Sequence, residues 1–321
     1  MNTIDFLELV SDELELVERK MREPDSDRHQ SVNDAITYLL DSGGKRLRPT
    51  VVLLVCKMLG ADCHRAVNLA AAVEMLHTAT LVHDDIIDGA LVRRGNPTLN
   101  STWSPGATIL TGDYLFARAA DLAAQTDSVT VMRLFARALM TICNGELRQL
   151  FNARQPLVDR VDYYRRIFAK TGSLFVLAAE ASGVLAGVDD PLRARLRTYG
   201  RELGIAFQIV DDMLDFAGSE AQVGKPIGSD LAQGLVTLPT IYFLESFPGD
   251  ERVISVLQGN RSARHIQVAL DAVRNSDAIP QAQEAAQEHA VAARAALLDL
   301  PDNHFRQTLL DVADYTVRRE L

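Results

Sequence analysis

A chain of 321 residues, 47% hydrophobic and 24% charged, has room for one large domain or two ordinary ones and is not the composition of a disordered protein. Its 33 Lys and Arg against 43 Asp and Glu leave a net charge of −10, which offers no general attraction to nucleic acid or to anionic lipid. Aromatic residues are only 6% of the chain, so Leu, Ala, Val and Ile must fill the core, a composition that leans toward helices.

The elements follow in chain order. Ile4, Leu7, Val10, Leu14 and Val17 recur at helical spacing, and Pro24 ends that first helix. A second helix is expected from about Asp27 to Ser42, stopped at Gly43-Gly44. Pro49 suits the first turn of a third, which runs to Leu59 and closes at Gly60. A long fourth helix fits His64 to Asp88, with Leu69, Val73, Leu76, Thr80, Asp84 and Asp88 on one face. After a loop over 89–103 come helices at about 105–125, 129–152, 160–186 and 191–216. The segment 218–234 reads as a polar loop, and four or five shorter amphipathic helices fill 238–321. No long period-two alternation and no βαβ rhythm occur, so the expected architecture is all-α: a single-domain helical bundle, 1–321, around a deep central cavity. Cys56, Cys63 and Cys143 contain no CxxC pair and read as reduced thiols. Met1–Val10 carries Asp5 and Glu8, unlike a signal peptide, and no run approaches the roughly 20 apolar residues of a membrane span. A cytoplasmic protein is expected.

Two acidic clusters carry the chemistry. Asp84-Asp85-Ile86-Ile87-Asp88 and Asp211-Asp212-Met213-Leu214-Asp215 both read DDxxD, and both lie within apolar helical runs. Residues i and i+4 share a helix face, so Asp84 stacks with Asp88 and Asp211 with Asp215. Like charges crowded on an apolar face are unfavourable without a cation between them, and hard oxygen ligands of this kind suit Mg²⁺ completed by phosphate oxygens. Short basic motifs match them: Gly43-Gly44-Lys45-Arg46-Leu47-Arg48-Pro49, Arg93-Arg94-Gly95, Lys170-Thr171-Gly172 and Gly224-Lys225-Pro226. Together they describe a site for two diphosphate-bearing substrates, one held through metal and one by Lys and Arg directly.

With these motifs in this order, from about Gly43 to Thr240, the chain resembles the trans-polyprenyl diphosphate synthases, the head-to-tail prenyltransferases, and within them the long-chain octaprenyl and solanesyl type. The matching stretches are GGKRLRP, HTATLVHDDIIDGALVRRGNPT, GDYLFARA, KTGSLF, GIAFQIVDDMLDF and GKPIGSDLAQGLVTLPT. The resemblance implies an isoprenoid-synthase fold, Mg²⁺ as cofactor with three ions to a site, and a homodimer. Asp84, Asp88 and Asp211 would be direct metal ligands, with Asp85, Asp212 and Asp215 supporting or binding through water. Lys45, Arg48, His77 and Arg94 would hold isopentenyl diphosphate; Arg93, Lys170, Thr171, Gln208 and Lys225 would face the allylic diphosphate. The allylic C–O bond breaks, the double bond of isopentenyl diphosphate attacks the cation, and a proton is lost to the departing diphosphate. The carbonyl and hydroxyl around Lys170-Thr171 and the Gln208 amide oxygen are the dipoles expected to steady that cation. One position departs from the family: Gly234-Leu235-Val236-Thr237 stands where the pattern is Gly-Lys-x-Thr, so a lysine of the allylic site is missing.

Product length follows from helix geometry. Ala79 and Thr80 lie five and four residues before Asp84, roughly 6–7.5 Å deeper along the helix. Both are small, where short-chain members of the family carry aromatic floors, so a product of about C30 to C50 is expected; a C20 geranylgeranyl diphosphate synthase is the alternative. A class I terpene cyclase would not need GGKRLRP, and a regulatory subunit of a heteromeric synthase would have eroded aspartates.

Overall fold

The computed structural model describes residues 3–24, 29–93, 95–152, 159–217 and 227–318. Its elements are α1 (Thr3–Glu8), α2 (Ser11–Arg22), α3 (Gln30–Asp41), α4 (Leu47–Leu59), α5 (Cys63–Ile87), the two-residue strands β1 (Val92–Arg93) and β2 (Asn96–Pro97), and α6 (Leu99–Thr102). They continue with α7 (Pro105–Ala124), α8 (Val129–Asn152), α9 (Arg160–Ile167), a π-helical turn Phe168–Gly172, α10 (Ser173–Leu185) and α11 (Asp190–Ala217). The remainder is α12 (Ser229–Gln233), α13 (Leu238–Ser246), α14 (Glu251–Leu257), α15 (Ala263–Arg274), α16 (Ala278–Ala296) and α17 (His304–Arg318). The fold is all-α, as expected.

The chain divides into two compact units. The first comprises Met1–Ala138, Leu174–Gly200 and Ala296–Val312, and is built around α5. That helix packs against α7, α4 and α2 and is buried nearly all round; Leu69, Ala70, Val73, Leu76 and Ala79 are fully enclosed. A helix apolar on every side has no solvent face to offer, so it becomes the core. Its start is fixed by Asp62, whose carboxylate accepts from Arg65 N–H at 2.9 Å. Close approach of α7 depends on Gly112, where a Cβ would lie 2.2 Å from His83 Nε2.

The second unit comprises Leu139–Ser173, Arg201–Ala295 and Ala313–Leu321. Its core gathers Tyr163 and Ile167 of α9, Ile205, Ile209, Met213 and Phe216 of α11, and aliphatic residues from α13 to α16. Burying such side chains contributes about 1.5–3 kcal/mol each, which offsets the ordering of several short helices.

Four local differences from the sequence reading stand out. The first helix is two, because Val10 turns fully inward and the Ser11 hydroxyl donates to Glu8 O at 3.0 Å. The loop after Asp88 contains an antiparallel hairpin, Arg93 opposite Asn96, held back by Tyr38 Oη donating to Pro97 O at 2.6 Å. The helix expected over 160–186, with Lys170-Thr171-Gly172 interrupting it, runs on through that motif as a π turn. The run Arg160–Leu185 is also long and apolar enough to cross a membrane by length and composition, contrary to the sequence reading, but 78% of its most apolar window is buried inside the protein, as in a core helix.

Candidate active site

In the first unit the acidic cluster closes the C-terminal end of α5. Asp88 is the cap residue, its N–H donating to Asp84 O at 2.8 Å, and no basic residue occupies the last turn. The helix macrodipole presents negative charge there, so three aspartates add to an unfavourable field. The second cluster repeats the arrangement near the C-terminal end of α11, again with no basic residue in the last turn. Each cluster, set against its own helix dipole, is an oxygen-only set of donors that a divalent cation would stabilise, and in donor chemistry these residues fit Mg²⁺. Among the described residues no three His, Cys, Asp or Glu side chains already converge on a common point.

The three aspartates of each cluster are not equivalent. Asp84 is half-buried and Asp88 exposed, whereas Asp85 is buried and accepts from Arg93 Nε at 2.7 Å. Burial raises the Asp85 carboxyl above the usual carboxylate range, Arg93 opposes that shift, and Asp84 and Asp88 add to it. Arg93 is thus carried by the hairpin to the acidic cluster. Arg94 lies outside the described residues.

A cavity of this unit is lined by Gly43, Arg46, His77, Asp85, Arg93 and the hairpin. It brings together His77 and Arg93, both expected in the site, with the glycine that opens the basic motif. Lys45 is exposed beside it; Arg48, half-buried in the first turn of α4, holds its guanidinium 5.0 Å from the Phe175 ring centroid. Arg46 plays a part the sequence does not show. It adopts the left-handed conformation, φ 46°, and its guanidinium bonds Glu18 at 2.5 Å, Glu74 at 3.1 Å and Leu40 O at 3.0 Å. It braces the loop that presents Lys45 and Arg48. One turn before Asp84, Thr80 Oγ1 donates to His77 O at 2.7 Å, and Ala79 is fully buried.

In the second unit, Lys170, Thr171 and Gly172 all lie in the π turn, an element that frequently marks functional sites. The Thr171 hydroxyl donates to Gln208 Oε1 at 2.6 Å, and Gln208 Nε2 donates to Asp212 Oδ1 at 2.8 Å. The Tyr163 hydroxyl donates to Asp212 Oδ2 at 2.8 Å. Asp212 therefore fixes the orientation of the Gln208 amide, with its oxygen turned toward Thr171. Burial, reinforced by Asp230, pushes Asp212 up to about 7, against the pull of Gln208, Tyr163 and Arg166. Asp215, fully buried, accepts from Ser229 Oγ at 2.8 Å and from Asp230 N–H at 3.0 Å, and so caps α12. Asp211 is half-buried. Lys170 Nζ stands 3.4 Å from Glu146 Oε1. Lys225 lies outside the described residues.

Sequence reasoning counted Arg46 among the cations of the motif at 43–49, where the structure gives it a bracing part, and missed Tyr38, Tyr163 and Arg166. Tyr163 and Ile167 share a face of α9, so the helical periodicity expected over 160–186 contains a signal for Tyr163. Nothing local links Arg46 to Glu18 and Glu74, each 28 residues away.

Comparison with known proteins gives the family. A family model described as polyprenyl synthetase matches residues 29–273. The chain is 37% identical to heptaprenyl diphosphate synthase component 2 of Geobacillus stearothermophilus over 97% of both chains. It is 35% identical to octaprenyl diphosphate synthase of Escherichia coli K12 over 100% of both. The crystal structure of polyprenyl synthase from Caulobacter crescentus CB15, complexed with calcium and isoprenyl diphosphate, is 34% identical and superposes with a TM-score of 0.91, covering 100% of this chain and 98% of that one. Family model, relatives and fold agree: the chain belongs to the trans-polyprenyl diphosphate synthases and is a prenyltransferase of the head-to-tail, chain-elongating kind.

Proposed function

We propose that this enzyme is Mg²⁺-dependent and makes a long all-trans product, about C30 to C50, from isopentenyl diphosphate and an allylic diphosphate. The observation that carries this reading is the order of residues along α5. Asp84 and Asp88 stand at its end, small Ala79 and Thr80 one turn deeper, and fully buried Leu76 and Val73 beyond. A tail that starts at the aspartates and follows this helix meets no aromatic floor at the first turn.

The chain's own residues divide the work. Asp84, Asp88 and Asp211 are the proposed metal ligands; Asp85, Asp212 and Asp215 spend their oxygens on protein donors and hold the clusters in place. Bound Mg²⁺ supplies neutralisation of the diphosphate and of the charge that grows on it as the C–O bond breaks. Arg93 and Lys170 bind the allylic diphosphate, while Lys45, Arg48 and His77 bind isopentenyl diphosphate. The Thr171 and Gln208 oxygens, fixed by Asp212, are oriented dipoles that steady developing positive charge at no reorganisation cost. The aliphatic wall of α5 excludes water, which would otherwise trap the cation as an alcohol.

The reading takes 1–321 as one synthase domain working in the cytoplasm as a homodimer. On α7, Ile109 and Leu110 are 44% and 69% exposed, and the segment 107–115 is the proposed contact. The Geobacillus relative is named as one component of a synthase, so a partner subunit is the other arrangement. Sedimentation showing a stable monomer at micromolar concentration rules out the homodimer. For the activity, purified protein is incubated with isopentenyl and farnesyl diphosphates and the products are separated by reversed-phase chromatography, with and without Mg²⁺. Products confined to C20, or full turnover after chelation, would sink the reading.

A further inference from the structure

The second unit holds a cation that none of the sequence motifs contains. Arg166 stands on the last turn of α9, four residues before Lys170. It is half-buried, donates to the carbonyl of Val236, and places its guanidinium 5.7 Å from the Tyr163 ring centroid. Tyr163 in turn donates to Asp212. A guanidinium thus lies one side chain away from the buried carboxylate of the second cluster, and its charge opposes the burial that pushes Asp212 up.

The carbonyl that it holds belongs to Gly234-Leu235-Val236-Thr237, the segment where an aliphatic residue replaces the family's lysine. That segment is fixed on both sides. Leu235 N–H donates to Asp230 O at 2.8 Å, and Gly234, at φ +81°, has Arg261 packed so close that a Cβ would lie 2.1 Å from its Nη2. Leu235 brings no charge to this segment; Arg261 packs on Gly234, and Arg166, 70 residues before Val236, bonds the Val236 carbonyl.

We propose that Arg166 binds the allylic diphosphate and takes over the role that Leu235 leaves open. The inference rests on the prenyltransferase reading given above. A guanidinium carries five donors in a planar fork. One donor on Val236 O and a face against Tyr163 fix its plane, and the fork then matches paired oxygens of a diphosphate. Arg166 precedes Lys170 of the π turn by four residues, close to one helical turn, so the two cations lie on roughly the same face.

The test is equilibrium binding of farnesyl diphosphate with Mg²⁺, by titration calorimetry without isopentenyl diphosphate. Arg166→Gln should weaken binding roughly ten- to a hundredfold, the loss of one or two charge-assisted hydrogen bonds. The KM for isopentenyl diphosphate should stay within about twofold of the parent value. The double variant Arg166→Gln/Leu235→Lys should bind about fivefold more tightly than Arg166→Gln, recovering part of the loss. A purely structural tie to Val236 would lower the melting temperature and gain nothing from the lysine, so loss without recovery overturns the proposal, as does unchanged binding in Arg166→Gln. If Arg166→Gln does not fold, Arg166→Lys decides: without the planar fork it should bind about three- to tenfold more weakly, and parental affinity overturns the proposal. The parent is the separate control. A parent that neither binds nor elongates farnesyl diphosphate breaks the functional reading, whereas an elongating parent beside an unaffected Arg166→Gln breaks only this inference.

Discussion

The two acidic clusters share one spelling but are supported in opposite ways. At the end of α5 the buried member, Asp85, is balanced by a full positive charge, Arg93, delivered by a two-stranded hairpin. Near the end of α11 the corresponding Asp212 receives neutral donors, the Gln208 amide and the Tyr163 hydroxyl, and Asp215 is satisfied by a hydroxyl and a backbone N–H. Burial raises both carboxyls, and at Asp212, where Asp230 reinforces it, it outweighs the neutral donors and carries the group up to about 7. The first cluster is therefore partly neutralised by the protein itself. The second depends more on what binds there.

The largest expected effect is on turnover. Asp84→Ala and Asp211→Ala should each lower it by orders of magnitude while circular dichroism and melting stay parental, since each removes a proposed metal ligand without opening the core. Either variant retaining activity within about threefold at saturating Mg²⁺ would remove that cluster from the site. Chelation of the parent should abolish turnover.

Next comes product length, which concerns only the helix of the first cluster. Ala79→Phe adds volume at a fully buried position, and close-packed interiors accept such additions poorly. Products should stop at C15 or C20 while isopentenyl diphosphate is still consumed. Parental products formed at the parental rate would mean that the tail does not pass Ala79.

A smaller effect separates the clusters by pH. The Asp212 carboxyl binds its proton more tightly folded than unfolded, because burial beside Asp230 holds it up at about 7, above the ordinary carboxylate value of 3.8. The folded state then gains protons relative to the unfolded one as pH falls through that window, so this group makes the metal-free protein more stable at lower pH and less stable as pH rises toward and through 7. Melting of chelated parent and Asp212→Asn between pH 5 and 8 checks the sign. The variant should lose that part of the slope, and identical slopes would show that Asp212 does not titrate there.

The smallest effect is that of Leu235→Lys in the otherwise parental chain. One partly solvated charge contact should tighten allylic binding by about 1 kcal/mol, read as a lower allylic KM. An unchanged or higher value would place Leu235 away from the diphosphate.

Much of this molecule is decided within short stretches of chain. Gly60 closes α4 in the left-handed conformation, Pro49 sits in the first turn of that helix, and α8 runs over Val129–Asn152 as its periodicity indicates. The DDxxD pairs, four residues apart on one face, are equally local, and so the family and its chemistry are legible from the residues alone. Tertiary structure alone decided which carboxylates are spent on protein partners. Asp85 meets Arg93 only because a hairpin folds back, Arg46 is claimed by Glu18 and Glu74, Thr171 reaches Gln208 from a π turn, and Arg166 finds a carbonyl 70 residues away. The reason is range. Helix propensity and caps act over a few residues, whereas a buried charge takes whatever partner the packed helices bring within about 3 Å.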